Sequence, residues 1–291
     1  MNAETNTKID KPIVIYHYPC QDGFTAAWAV WLKHPDWEFY PAKHGNPLPD
    51  LTNRSEVYFV DFSPKATIVY DLLQQPTHPT KIVVLDHHKT AQADLANVQA
   101  CDPAGLVLEV HFDMEKSGAM LAWEYFHVGE DVPDIVKFVE DRDLWRFALL
   151  DTKQVTAWLF TQDYDFDGWN YAEDTIQFEL GNVLMAGQAI LDKQAKDVLE
   201  LSQFKFRAEV GGHMVWVVNV PYTLASDMGH MLCQGEPFAA SYYYDGVKQK
   251  LVYSLRSDEN GLDVSEIAKK FGGGGHKHAA GFERRIDEDI K

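Results

Sequence analysis

The sequence predicts a two-domain α/β protein, with a parallel-sheet N-terminal domain joined by a helical linker to a smaller mixed α/β domain. Three observations lead there. Short apolar runs alternate with longer mixed segments through the first half of the chain, an unbroken helical pattern runs over residues 180–202, and hairpin-linked strands follow it. Strands apolar on both faces belong to parallel sheets covered by helices. The chain has 291 residues, 46% hydrophobic and 13% aromatic. A chain of that size buries roughly three quarters of its unfolded surface, which excludes disorder and fibrous repeats.

In chain order, residues 13–16, 56–60 and 81–85 read as buried strands, each ending in polar, chemistry-bearing residues. Between and after them, residues 23–33, 66–75 and 117–128 read as helices, the last opened by Ser117 as N-cap. Ligands of such sheets bind outside the carboxyl ends of the strands, where Cys20, Asp22, Asp61 and Asp86 would sit. The helical stretch carries Leu184, Ile190, Leu191, Val198 and Leu201 on one stripe. Beyond it, strands are expected at 214–220, 238–244 and 248–255, the last two joined across Asp245-Gly246, a hairpin signal. A helix over 263–271 precedes four glycines and His276. The expected division is therefore residues 1–180, a linker at 181–203, and residues 204–291.

Charge limits the partner. Asp and Glu number 44 against 26 Lys and Arg, a net charge of −18, and such a field repels a long phosphate backbone. Duplex coating is excluded, whereas a short nucleotide substrate is not. The three cysteines, Cys20, Cys101 and Cys233, are scattered, with no C-x-x-C pair and no disulfide framework. The first dozen residues are polar, and no window has the apolar length of a membrane span. The expectation is a cytoplasmic protein with no membrane partner; no homo-oligomer is assigned.

Four clusters carry chemistry: His17-Tyr18-Pro19-Cys20-Gln21-Asp22-Gly23, then Asp61, then Asp86-His87-His88, then Asp141-Arg142-Asp143. Taken singly, a strand-terminal Asp is a turn or cap residue and His17 a structural histidine. Three consecutive titratable groups after four apolar residues, with no turn Gly or Pro, are hard to justify structurally. A fold that gathered these ends would crowd carboxylates together. A divalent cation relieves that repulsion, and oxygen with imidazole donors suits manganese, magnesium or iron. The clusters predict a metal-dependent hydrolase.

Asp86-His87-His88, with the upstream His-x-x-Cys-x-Asp-Gly, the strand-end Asp61, the later Asp-Arg-Asp and the terminal Gly-Gly-Gly-Gly-His, resembles the DHH phosphoesterase superfamily over nearly the whole chain. The resemblance implies an N-terminal domain holding two divalent cations, usually Mn2+, and a DHH-associated C-terminal domain that binds substrate. It matches His17 and the Cys20 position to ligands of one metal and Asp22 to a ligand of the other. It matches Asp61 to the bridging carboxylate, His87 to a further ligand and His88 to a phosphate contact. The last carboxylate is Asp141 or Asp143, with Asp141 favoured because it follows the apolar stretch 135–139 directly. Asp86 is expected to orient the following histidine.

One position departs from the family, whose first motif has Asp where this chain has Cys20. A thiol there either ligates as thiolate or stands back and leaves the place to water. The sequence favours the second, since manganese prefers oxygen and nitrogen.

The glycine run, Gly272 to Gly275, lacks Cβ atoms and suits a phosphate-binding loop of exposed N–H groups. Gly273, Gly274, Gly275 and His276, with Arg256 and Ser257 at the end of a strand, are the expected substrate contacts. A competing pattern, Asp163-Tyr164-Asp165-Phe166-Asp167-Gly168, matches part of a calcium loop but lacks the bidentate Glu at its twelfth position; an acidic surface loop is expected instead. The expected activity is hydrolysis of short single-stranded oligonucleotides or dinucleotides to mononucleotides, with His88 and Asp86 assisting. Alternatives are a phosphodiesterase or phosphatase for a cyclic dinucleotide or other small nucleotide, and a weakly active nucleotide sensor.

Overall fold

The computed structural model describes residues 11–75, 79–98, 102, 105–288 and 290. Cys101 lies outside them. The chain divides into two compact units: one runs to Ile190 but omits His88–Thr90, and the other comprises those three residues and Leu191 onward.

In the first unit the order is β1 (Ile13–His17), α1 (Gln21–Lys33), β2 (Glu38–Ala42), β3 (Glu56–Val60), α2 (Ala66–Gln74), β4 (Lys81–Asp86), α3 (Lys89–Leu95), β5 (Leu108–Phe112), α4 (Gly118–Phe126), α5 (Asp134–Asp143), α6 (Thr152–Leu159) and α7 (Phe166–Phe178). The strands form one sheet in the order β2-β1-β3-β4-β5, with every pair parallel. Alternation along β1 explains the two-sided burial. Val14 and Tyr16 join the core under α1 and α4, while Ile13 and Ile15 join the core on the opposite face. All five strands run the same way, so their carboxyl ends lie on one edge, and His17 and Asp86 end β1 and β4 there.

α8 (Leu180–Leu201) spans the stretch read as a linker, and the boundary between units falls inside it. The second unit continues with β6 (Phe206–Val210), β7 (His213–Asn219), α9 (Ala225–Leu232), β8 (Ala239–Asp245), β9 (Lys250–Arg256), α10 (Val264–Lys269), β10 (Gly274–Gly275) and β11 (Ala279–Arg284). Its sheet order is β10-β11-β9-β8-β7-β6, mixed because β7 and β8 pair in parallel and the other pairs are antiparallel. The β8–β9 hairpin is longer than a two-residue Asp-Gly turn. Asp245 pairs with Lys250, and the Asp245 carboxylate accepts from the amides of Val247 at 2.9 Å and Lys248 at 3.1 Å.

The acidic stretch read as a surface loop is partly helix. Asp165 caps the N-terminus of α7, its side chain accepting from the Gly168 amide at 2.7 Å, so no calcium loop forms there. Among the described residues, no helix is long and apolar enough to cross a membrane.

Candidate metal centre

Two glycines let helix N-termini close on the strand ends. A Cβ at Gly23, in the first turn of α1, would lie 2.2 Å from the carbonyl oxygen of His17. One at Gly118, the first residue of α4, would lie 2.3 Å from the Cβ of Asp61. Neither position tolerates a side chain without displacing backbone. The N-terminus of α4 then serves the site directly. Its Gly118 and Ala119 amides donate to the two oxygens of Asp22 at 2.7 and 2.9 Å. Amide donors and the positive end of the dipole are what a buried carboxylate requires. Asp61, just past β3, adopts φ 49°, a left-handed conformation that Asp tolerates better than most residues. Its amide still extends the ladder to Leu85 O at 2.9 Å.

These devices bring the predicted residues together. The Nε2 atom of His87 lies 3.2 Å from Asp61 Oδ1, 3.4 Å from Asp22 Oδ2 and 3.5 Å from Asp143 Oδ2. His17 Nδ1 lies 3.4 Å from Asp61 Oδ2. Asp61 therefore faces His17 with one oxygen and His87 with the other. Ligand atoms of Asp22, His87 and Asp143 lie within 4.8 Å of one another, as do those of His17, Cys20 and Asp61. Asp86 is fully buried; its carboxylate accepts from the His87 amide at 2.7 Å and from the Ser63 hydroxyl. It thus acts on His87 through the backbone amide, where the sequence led us to expect an acceptor orienting the histidine.

Geometry separates Asp141 from Asp143. The Asp141 carboxylate accepts from the amides of Ala148 at 2.8 Å and Leu149 at 3.1 Å and from the Thr152 hydroxyl. It is Asp143 that meets His87. Two residues apart on a helix means about 200° of rotation, so the two carboxylates cannot share a face.

Electrostatics express the crowding. Burial, then the charges of Asp61 and Asp143, hold the Asp22 carboxyl well above its ordinary range. Burial alone would lower the His87 imidazole. Its hydrogen bond to Asp61 and the charges of Asp143 and Asp22 raise it well above instead. His17 is raised well above likewise, against burial, by hydrogen bonds to Asp61 and Cys20. Three carboxylates and two imidazoles converging in this way fit a divalent cation of the manganese, magnesium or iron kind.

In the second unit the expected substrate residues fare unevenly. Ser257 is buried, and its hydroxyl is committed to Leu262 O at 2.7 Å and His278 Nδ1 at 3.0 Å, which removes it as a ready donor. The glycine run is not a loop of exposed amides. The amide of Gly273 donates to Ala268 O at 3.0 Å, that of Gly275 to Thr90 Oγ1 at 3.2 Å and that of His276 to Ala279 O at 2.8 Å. Glycine is needed there for close packing. A Cβ at Gly273 would lie 2.1 Å from Gly281 O, one at Gly274 2.7 Å from Thr90 Oγ1, and one at Gly275, with φ 140°, 2.5 Å from Ala279 O. His88 stacks on His276 with ring centroids 4.5 Å apart. Arg256 donates to Leu255 O and to Ser226 Oγ, each at 2.9 Å. Gly118, Ala119 and Ser63 were not foreseen from the sequence, where the cap at Ser117 was the sole signal for any of them.

No family model matches the chain. An uncharacterized protein of Acanthamoeba polyphaga mimivirus is 30% identical over 293 aligned residues, covering 93% of this chain and 66% of that protein. The chain thus spans just under two thirds of that relative's length. Among solved structures, the DHH domain of a protein described as a member of a ribosomal-protein family aligns with 93% of this chain and 82% of that one. Its identity is 16% and its TM-score 0.60. A RecJ from Thermus thermophilus, solved with Mn2+, aligns with 94% of this chain and 49% of that one at 16% identity and a TM-score of 0.49. The assignment rests on the first of these two: the chain has the DHH-type α/β fold that its motifs led us to expect of the DHH phosphoesterase superfamily.

Proposed function

We propose that this chain is a metal-dependent phosphodiesterase that hydrolyses short single-stranded oligonucleotides or dinucleotides to mononucleotides. The observation that carries the proposal is the convergence of Asp22, Asp61, Asp143, His17 and His87 at the carboxyl edge of a parallel sheet, with Asp61 facing both histidines. Two divalent cations, Mn2+ the best fit to the oxygen and nitrogen donors, would polarise a phosphoryl oxygen and acidify water there.

The chain's own residues do the rest. Asp61 spans the two groups of donors, and the α4 amides hold Asp22 in one orientation. Asp86 fixes His87 through its backbone and acts as a positioning residue. His88 is the proposed phosphate contact. Arg256, His276 and the backbone around Gly273, Gly274 and Gly275 are proposed to hold the remainder of the substrate. Net charge of −18 disfavours long strands and duplexes.

The test is a substrate panel of dinucleotides, longer single strands, duplexes, cyclic dinucleotides and pyrophosphate, assayed with Mn2+ and with excess chelator. Chelator-sensitive release of mononucleotides, fastest from two- to five-residue strands, is expected. Turnover of cyclic dinucleotides alone would move the reading to the small-nucleotide alternative. Nucleotide binding with no turnover of any substrate would make the chain a sensor.

A further inference from the structure

Cys20 occupies the N-cap position of α1 in an extended conformation, and its side chain makes no capping hydrogen bond. The sulfur is thus not consumed by the helix terminus, where a polar side chain otherwise has a structural task. It lies with a ring nitrogen of His17 and a carboxylate oxygen of Asp61, all three donor atoms within 4.8 Å of one another. The close approach enforced at Gly23 holds the start of α1 against the end of β1, which fixes Cys20 and His17 as neighbours.

We infer that His17, Cys20 and Asp61 form a mixed sulfur, nitrogen and oxygen site that selects a borderline-soft divalent ion, of the zinc or cobalt kind, over manganese. The inference rests on the metal reading proposed above and divides its two positions chemically. Three protein ligands of these types with one place left open make a zinc site of the catalytic kind. Asp22, His87 and Asp143 supply only oxygen and nitrogen and keep the harder preference. The ligating alternative is taken over the one in which the sulfur stands back, on the ground that the three donor atoms are already gathered.

Cobalt titration followed by absorption spectroscopy tests this without recourse to turnover. The full-length protein loaded with Co2+ should show a near-ultraviolet thiolate-to-cobalt charge-transfer band. Cys20→Ser and Cys20→Asp should both lose it. Competition between Zn2+ and Mn2+ should show the preference for zinc falling by about tenfold or more in Cys20→Asp, which restores a hard ligand and guards against a variant that merely misfolds. Absence of the band in the wild type while cobalt binds, or its persistence in both variants, would overturn the inference and leave the proposed activity standing. Absence of any Co2+ or Mn2+ binding to the wild type would sink both.

Discussion

Asp141 and Asp143 show how differently two neighbouring carboxylates serve one chain. Burial would raise the Asp141 carboxyl, but the Thr152 hydroxyl and the Ala148 and Leu149 amides hold it below its ordinary value. Asp141→Ala should therefore cost about 1–3 kcal/mol in chemical denaturation, chiefly from the buried Thr152 hydroxyl left without this acceptor. Asp143→Ala should leave stability nearly unchanged and weaken Mn2+ binding, measured by calorimetry. The reverse pattern would restore Asp141 to the site. Protons also compete with the metal. Asp22 is raised by burial and neighbouring carboxylates, and His17 and His87 are raised by theirs. All three must lose protons to ligate, so Mn2+ affinity should rise with pH, up to about tenfold per unit for each proton displaced, and level off above the raised values. An affinity flat between about pH 5 and 8 would contradict that sign. At this scale the sequence displayed the ligand types plainly. It hid which Asp meets His87, because that depends on helix phase and not on spacing from an apolar stretch.

At the scale of elements, the central strands β1, β3 and β4 were legible because both of their faces are buried and their sequences are continuously apolar. The edge strands β2 and β5 were not. Glu38 and Pro41 lie in one, and Glu109 and His111 in the other, as an edge allows. Gly118 was equally hidden, since its need arises from Asp61, far away in sequence. Gly118→Ala should cost about 1–3 kcal/mol through overpacking and weaken Mn2+ binding, because the clash falls on the carboxylate that spans both donor groups. Unaltered Mn2+ affinity in a folded Gly118→Ala variant would show that the α4 terminus does not set the site. The glycine run is where local geometry departs most from composition. Its composition suggested open amides, whereas its glycines admit close packing of β10 against β11.

For the whole molecule, a parallel-sheet unit that assembles acid and imidazole groups on one edge and a net charge of −18 are both consistent with the substrate class proposed above: small, anionic and met locally by cations. The long helical pattern over residues 180–202 was visible as a change along the chain, since periodicity survives without tertiary information, whereas the division between Ile190 and Leu191, with His88–Thr90 in the second unit, was not. The central claim is that the gathered carboxylates and imidazoles hold divalent ions that hydrolyse a phosphodiester. The most direct measurement is the rate of mononucleotide release from a dinucleotide in Mn2+, for the wild type and for Asp61→Asn, the residue that faces both histidines. Turnover should be abolished by chelator, restored by Mn2+, and lowered on the order of a thousandfold in Asp61→Asn. Full wild-type activity in excess chelator, or an Asp61→Asn variant as fast as the wild type, would contradict it.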